Sequence, residues 1–167
     1  MPDPAIRPAT LRDAEAIAAI YAFHVLHGTG TFDTDPPEAG HWRDRIAGIE
    51  KRGWPFLVAE WDGVICGYAY VAQFRDRPAY ARTCENSVYV ADSMRGRGVG
   101  RALLVDLIEG ARGCCFEQMV AVIGGGEPAS VGLHKALGFE HAGRLHNVGF
   151  KFERRLDTVY MQRDMTI

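Results

Sequence analysis

The chain runs from Val88-Tyr89-Val90 through Arg95-Gly96-Arg97-Gly98-Val99-Gly100-Arg101 into Ala102-Leu103-Leu104, and few architectures accommodate that passage. β-branched and aromatic residues favour a strand, which the glycine-spaced run cannot continue. Leu103, Leu104, Leu107, Ile108 and Ala111 then recur on one face at helical spacing. The order is therefore strand, bare turn, amphipathic helix. A turn with so few side chains leaves backbone N–H groups uncovered at a helix start, which suits a phosphate. Arg95, Arg97 and Arg101 add charge of the matching sign.

Several readings of this turn compete. A dinucleotide turn of the G-x-G-x-x-G type fails at Arg101, which stands where close helix–strand packing wants a third glycine. A nucleoside-triphosphate loop fails because no Gly-Lys-Ser/Thr follows. A purely structural helix cap and a cradle for the pyrophosphate of an acyl-CoA remain, and the turn alone does not choose between them.

At 167 residues the chain fits a single domain, 1–167, with room for a sizeable core. A net charge of −2 gives no reason to expect nucleic acid as a partner. Met1-Pro2-Asp3-Pro4 lacks the basic and apolar pattern of a secretory leader, and no apolar run is long enough for a bilayer, so no membrane role is expected. Cys66, Cys84, Cys114 and Cys115 have no metal-ligand spacing and read as reduced thiols of a cytoplasmic protein with no metal.

Ile6-Arg7-Pro8 reads as an edge strand, because proline is tolerated at a sheet edge and not in its centre. Thr10 with Asp13 signals a helix start, and that helix ends by Gly28. Trp42, Ile46 and Ile49 mark a second helix as core. Asp62-Gly63 joins two strands, Phe56 to Ala59 and Val64 to Phe74, as a hairpin. A strand at Glu85–Val90 leads to the glycine turn, and Met119–Ile123 is a buried strand broken at Gly124-Gly125-Gly126. A short helix covers Ser130–Leu137, and two further strands fit around Ala142–Phe150 and Leu156–Gln162. The fold class is mixed α/β, with a mostly antiparallel sheet of six to seven strands and about four helices.

Two stretches now carry a resemblance. Arg95-Gly96-Arg97-Gly98-Val99-Gly100 matches the Arg/Gln-x-x-Gly-x-Gly/Ala signature of the GNAT N-acetyltransferases. Ser130-Val131-Gly132-Leu133-His134-Lys135-Ala136-Leu137-Gly138-Phe139 resembles that superfamily's second motif, a small helix ending in Leu-Gly-Phe. Within the superfamily the chain is similar to the phosphinothricin and methionine sulfone/sulfoximine acetyltransferases. Ile6-Arg7-Pro8-Ala9-Thr10, Thr31-Phe32, Glu85-Asn86-Ser87-Val88-Tyr89-Val90 and Asp157 through Asp164 carry this finer likeness, which runs from Ile6 to about Met165.

The resemblance implies a GNAT fold, a homodimer, and transfer of acetyl from acetyl-CoA to the α-amino group of a small amino acid or analogue, by direct attack. It implies that Val88, Tyr89 and Val90 offer backbone groups to the pantetheine arm, with an N–H near Val90 polarising the thioester carbonyl. The turn Arg95–Arg101 would hold the pyrophosphate. Glu85 matches the position of the proposed base, and His134 stands where many relatives carry a thiolate-protonating tyrosine. Ser130 keeps a serine of the second motif, while Glu127 replaces the usual asparagine that contacts the CoA arm. A carboxylate there loses the amide donors and adds negative charge near an anionic ligand.

Phe74-Arg75-Asp76-Arg77 closes the long strand in this reading, so alternation puts Arg75 and Arg77 on one side as a clamp for a carboxylate. Phe32 and Tyr80 would wall the same acceptor site. A peptide N-terminus or a polyamine is the alternative acceptor, and a non-catalytic acyl-CoA sensor the alternative of another class.

Overall fold

The computed structural model describes residues 3–167. Its chain order is β1 (Ala5–Pro8), α1 (Ala14–His27), α2 (Ala39–Lys51), β2 (Phe56–Trp61), β3 (Val64–Gln73), β4 (Thr83–Val90), α3 (Val99–Gly113), β5 (Gln118–Gly124), α4 (Pro128–Ala136), β6 (Glu140–Lys151) and β7 (Arg154–Asp164). The strands form one seven-stranded sheet in the order β1-β2-β3-β4-β5-β7-β6. Every neighbouring pair is antiparallel except β4–β5.

That exception shapes the molecule. β4 and β5 pair only from Thr83↔Gln118 to Asn86↔Ala121. Beyond Asn86 the strands part, so β4 continues through Ser87–Val90 with β3 on one side and no strand on the other. β5 goes on to Gly124 alongside β7.

Alternation along the strands builds two cores. Cys84, Val88 and Val90 turn toward α3 and α4 and join Leu103, Leu104, Leu107 and Met119. Tyr68, Tyr70 and Tyr89 turn the other way and pack with Ile17, Tyr21, Trp42 and Ile46 of α1 and α2. Leu103, Leu104 and Leu107 have no exposed surface, and truncating such a leucine to alanine costs about 2–5 kcal/mol. Trp42 is core, as its spacing predicts, with rings of Tyr21, Tyr68 and Tyr70 around it.

Local signals place the ends. Thr10 and Asp13 form a capping box, and Asp13 also takes a bidentate hydrogen bond from Arg7 of the edge strand. Gly98 opens α3 at φ +82°, a left-handed conformation that glycine reaches without strain.

One sequence expectation fails here. β3 ends at Gln73, and Phe74–Arg77 is a bend rather than strand. The Gln73 side-chain amide donates to the carbonyls of Arg75 (2.6 Å) and Arg77 (3.0 Å), which curls the chain. Strand alternation therefore does not align Arg75 with Arg77. No helix among the described residues is long and apolar enough to cross a membrane.

Candidate active site

The parting of β4 and β5 creates a groove of about 750 Å³, entered between the glycine turn and the C-terminal end of α1. The direction of each backbone group on β4 follows from its ladder. Phe74 N–H donates to Thr83 O and Ala91 N–H to Cys66 O, so the odd-numbered residues from Thr83 to Ala91 pair with β3. Cys84 and Asn86 face β5, while Val88 and Val90 point their N–H and C=O groups into the groove. Tyr89, in register with Tyr68, spends its backbone groups on β3. The expectation that it offers them to a ligand is corrected, although Tyr89 remains among the residues that line the groove.

At the upper end of the groove lie Arg95, Gly96, Gly98, Val99, Gly100 and Arg101. Gly96 and Gly98 both take positive φ, so the turn bares its N–H groups where α3 begins. Arg97 is exposed and does not line the groove, contrary to its place among the expected ligand residues.

The apex of the groove is the Asn86↔Ala121 pair. Glu85 and Asn86 flank it on opposite faces of the sheet. Glu85 shares the face of Tyr89 and is half-buried. Burial raises its pKa, and the positive charge of Arg75 opposes the rise. Asn86 turns to the α4 side, where its Oδ1 lies 3.0 Å from Nε2 of His134. The other ring nitrogen, Nδ1, donates to the backbone carbonyl of Ser130 at 2.7 Å. His134 is 3% exposed, and burial lowers its pKa.

Glu127 and Ser130 complete this wall. The Glu127 carboxylate accepts the Ser130 N–H at 3.0 Å and caps α4. The substitution that stood out in the sequence therefore keeps the acceptor that a cap needs, and its charge is spent on the helix N-terminus.

The acceptor side differs from the sequence reading. Phe32, Phe74, Arg75, Arg77 and Tyr80 do not line the groove. The bend at Phe74–Arg77 carries the two arginines to the surface, where Arg75 lies over the Phe74 ring and Phe74 packs edge-on to Tyr80. Phe32 lies flat on a glycine patch instead: a Cβ on Gly149 would stand 2.4 Å from its ring. Thr29 rests in the same way on Gly124 and Gly125. Further bonds pin this loop, from Thr31 Oγ1 to Tyr21 OH (2.7 Å) and from Lys151 Nζ to Thr31 O (3.0 Å). Gly124 and Gly125, with Gly149, thus seat the loop that leads out of α1.

Sequence reasoning missed several lining residues. His24, His27, Thr29 and Gly30 come from the end of α1, and Arg154 from the start of β7. Their only sequence signal was two histidines and two glycines around a helix end, which is common in loops with no site. Among the described residues no group of three His, Cys, Asp or Glu could hold a metal.

The comparisons agree with this geometry. The family model for the acetyltransferase (GNAT) domain matches residues 6–160. The phosphinothricin N-acetyltransferase of Alcaligenes faecalis is 49% identical over 92% of this chain and 78% of its own length. The L-methionine sulfoximine/L-methionine sulfone acetyltransferase of Pseudomonas aeruginosa is 40% identical over 96% of this chain and 94% of its own. The crystal structure of a phosphinothricin acetyltransferase from Sinorhizobium meliloti in complex with AcCoA superposes with a TM-score of 0.95. It is 41% identical, covering 98% of this chain and 89% of that one. The parted strands, the glycine turn and the match along nearly the whole chain agree, and the chain belongs to the GNAT acetyltransferase family.

Proposed function

We propose that the chain, as a single domain, is an acetyl-CoA-dependent N-acetyltransferase for the α-amino group of a small amino acid or analogue resembling phosphinothricin or methionine sulfoximine. One observation carries the reading: an open strand edge, Val88 and Val90, runs from the bare glycine turn to an apex flanked by Glu85 and His134. The pyrophosphate sits on the N–H groups of Gly96–Gly100 with Arg95 and Arg101 beside it. The pantetheine arm lies along β4 as an added strand, and the thioester reaches the apex.

Glu85 takes the proton of the acceptor ammonium, a task suited to a carboxyl whose pKa burial has raised. The free amine then attacks the thioester carbonyl in a ternary complex. Val88 N–H, the first open donor beyond the apex, stabilises the developing oxyanion. As the C–S bond breaks, the ring of His134 on the opposite face, held through Nδ1 by Ser130, relays to the departing thiolate the second proton that the attacking nitrogen sheds. Arg75, close enough to Glu85 to act on its charge, offers an acceptor carboxylate a partner, and Arg154 adds a second cation at the groove.

A homodimer belongs to this reading. Val148 and Phe150 of β6 are 56% and 71% exposed on the edge strand of the sheet, and sedimentation at micromolar concentration tests it. The cytoplasm suits four free thiols. A thiol-release assay with acetyl-CoA and a panel of amino acids tests the activity. Turnover on α-amino groups is expected, whereas saturable CoA binding with no turnover on any amine would support a sensor instead.

A further inference from the structure

Of the four backbone groups that β4 turns into the groove, one is already taken. His24, on the last turns of α1, places Nε2 2.8 Å from the carbonyl oxygen of Val90. That oxygen can only accept, so Nε2 carries the ring hydrogen and Nδ1 bears the lone pair. An Arg95 guanidinium nitrogen lies 3.4 Å from Nδ1, in position to donate and hold this tautomer. The ring also packs against Tyr89 and Phe23, with centroids 5.4 and 5.8 Å away. Burial disfavours its protonated form, in keeping with one donor and one acceptor nitrogen.

The capped oxygen is the outermost group of the open edge, nearest the glycine turn. An unpaired strand edge accepts an incoming chain in more than one register, and successive registers differ by two residues, about 6.6 Å. We propose that His24 is a positioning residue for the cofactor: by capping Val90 C=O it closes the upper end of the edge. The pantetheine amides are then left with Val90 N–H and Val88 C=O, and Val88 N–H is kept for the thioester carbonyl. The register so fixed delivers the thioester to the apex beside Glu85. Because His24 stands on α1, the same bond ties the cofactor edge to the helix that leads into the Thr29–Asp33 loop.

The proposal rests on the reading that the pantetheine arm lies along β4, and the test separates the two. Hydrogen exchange of the Val90 amide is measured by NMR in the unaltered protein with CoA and with adenosine 3′,5′-bisphosphate, which lacks the arm. CoA alone should slow the Val90 amide. If it does not, the arm lies elsewhere and the proposal falls with that placement.

Calorimetry then compares His24→Phe, which keeps the packing and loses the donor, with His24→Gln, which keeps a side-chain N–H. His24→Phe should weaken CoA about three- to tenfold and leave the bisphosphate unchanged, while His24→Gln binds both like the unaltered protein. With the Val90 amide slowed, unchanged CoA affinity in His24→Phe overturns the capping alone. An equal loss for CoA and bisphosphate also overturns it, since His24 would then act only on the turn through Arg95. So does a His24→Gln variant as weak as His24→Phe. His24→Ala replaces the phenylalanine variant should that one not fold.

Discussion

Glu85 and Asn86 are neighbours in the chain and stand on opposite faces of the sheet, and the two faces are built differently. Burial and the charge of Arg75 act on the Glu85 carboxylate, and no hydrogen bond contributes to its shift. On the other face, Asn86 and His134 are bonded to each other, and His134 is also bonded to Ser130. One face offers a half-buried carboxylate that a substrate can engage; the other holds a ring whose orientation is settled beforehand. In the proposed reaction freedom is kept on one side only: the variable molecule meets the open group, and the constant leaving group meets the fixed one.

Substitutions on each face can break that contrast. Glu85→Gln should lower kcat by roughly 10²–10⁴ while CoA affinity, measured by calorimetry, stays as it was. A kcat within twofold of the unaltered enzyme would remove Glu85 as the base. On the opposite face, Asn86→Asp sets a carboxylate against Nε2. NMR of the ring should show the His134 pKa rising by about one unit or more, since an opposite charge at this distance favours the imidazolium. An unmoved ring pKa would show that Asn86 does not govern His134.

Arg75→Ala sharpens the comparison from the first face. Arg75 holds the Glu85 pKa down, so its removal lets that pKa rise further. The acid limb of the kcat/KM profile should therefore shift to higher pH, and an unchanged limb would separate Arg75 from Glu85.

Asp13 serves as a control away from both faces. Arg7 holds its carboxyl below the ordinary range, so its contribution is complete above the unfolded pKa of about 3.9 and is lost as pH falls through the folded value. Asp13→Asn should cost about 1.5–3 kcal/mol at neutral pH. Denaturant titrations should show the gap to the unaltered protein closing below about pH 4, with kcat untouched.

What could be read in advance followed the range of the interaction. The glycine turn, α3, the Thr10–Asp13 cap and the core position of Trp42 depend on neighbours within a turn or two of helix, and periodicity exposes them. The bend at Phe74–Arg77 depends on one side chain, Gln73, folding back on two carbonyls, which no alternation pattern reveals. Phe32 was expected at the acceptor and lies on Gly149, far along the chain. His24 gives no signal in the sequence beyond its place in the first helix, because its partner, Val90 O, belongs to a strand whose free edge appears once β4 and β5 part. The resemblance pointed to Glu85 and His134; only the folded chain put them on opposite faces.

The glycine patch under the Thr29–Phe32 loop has a consequence for how such an enzyme can change. The loop is seated on Gly124, Gly125 and Gly149 and held by Lys151, none of which lies in α1 or on β4. Side chains added at those glycines would lift the loop and reshape the mouth of the groove while leaving β4, Glu85 and the glycine turn in place. On the proposed reading, substrate preference and acetyl transfer are thus carried by separable parts of the chain, so a lineage could explore new acceptors one glycine at a time without first surrendering its chemistry.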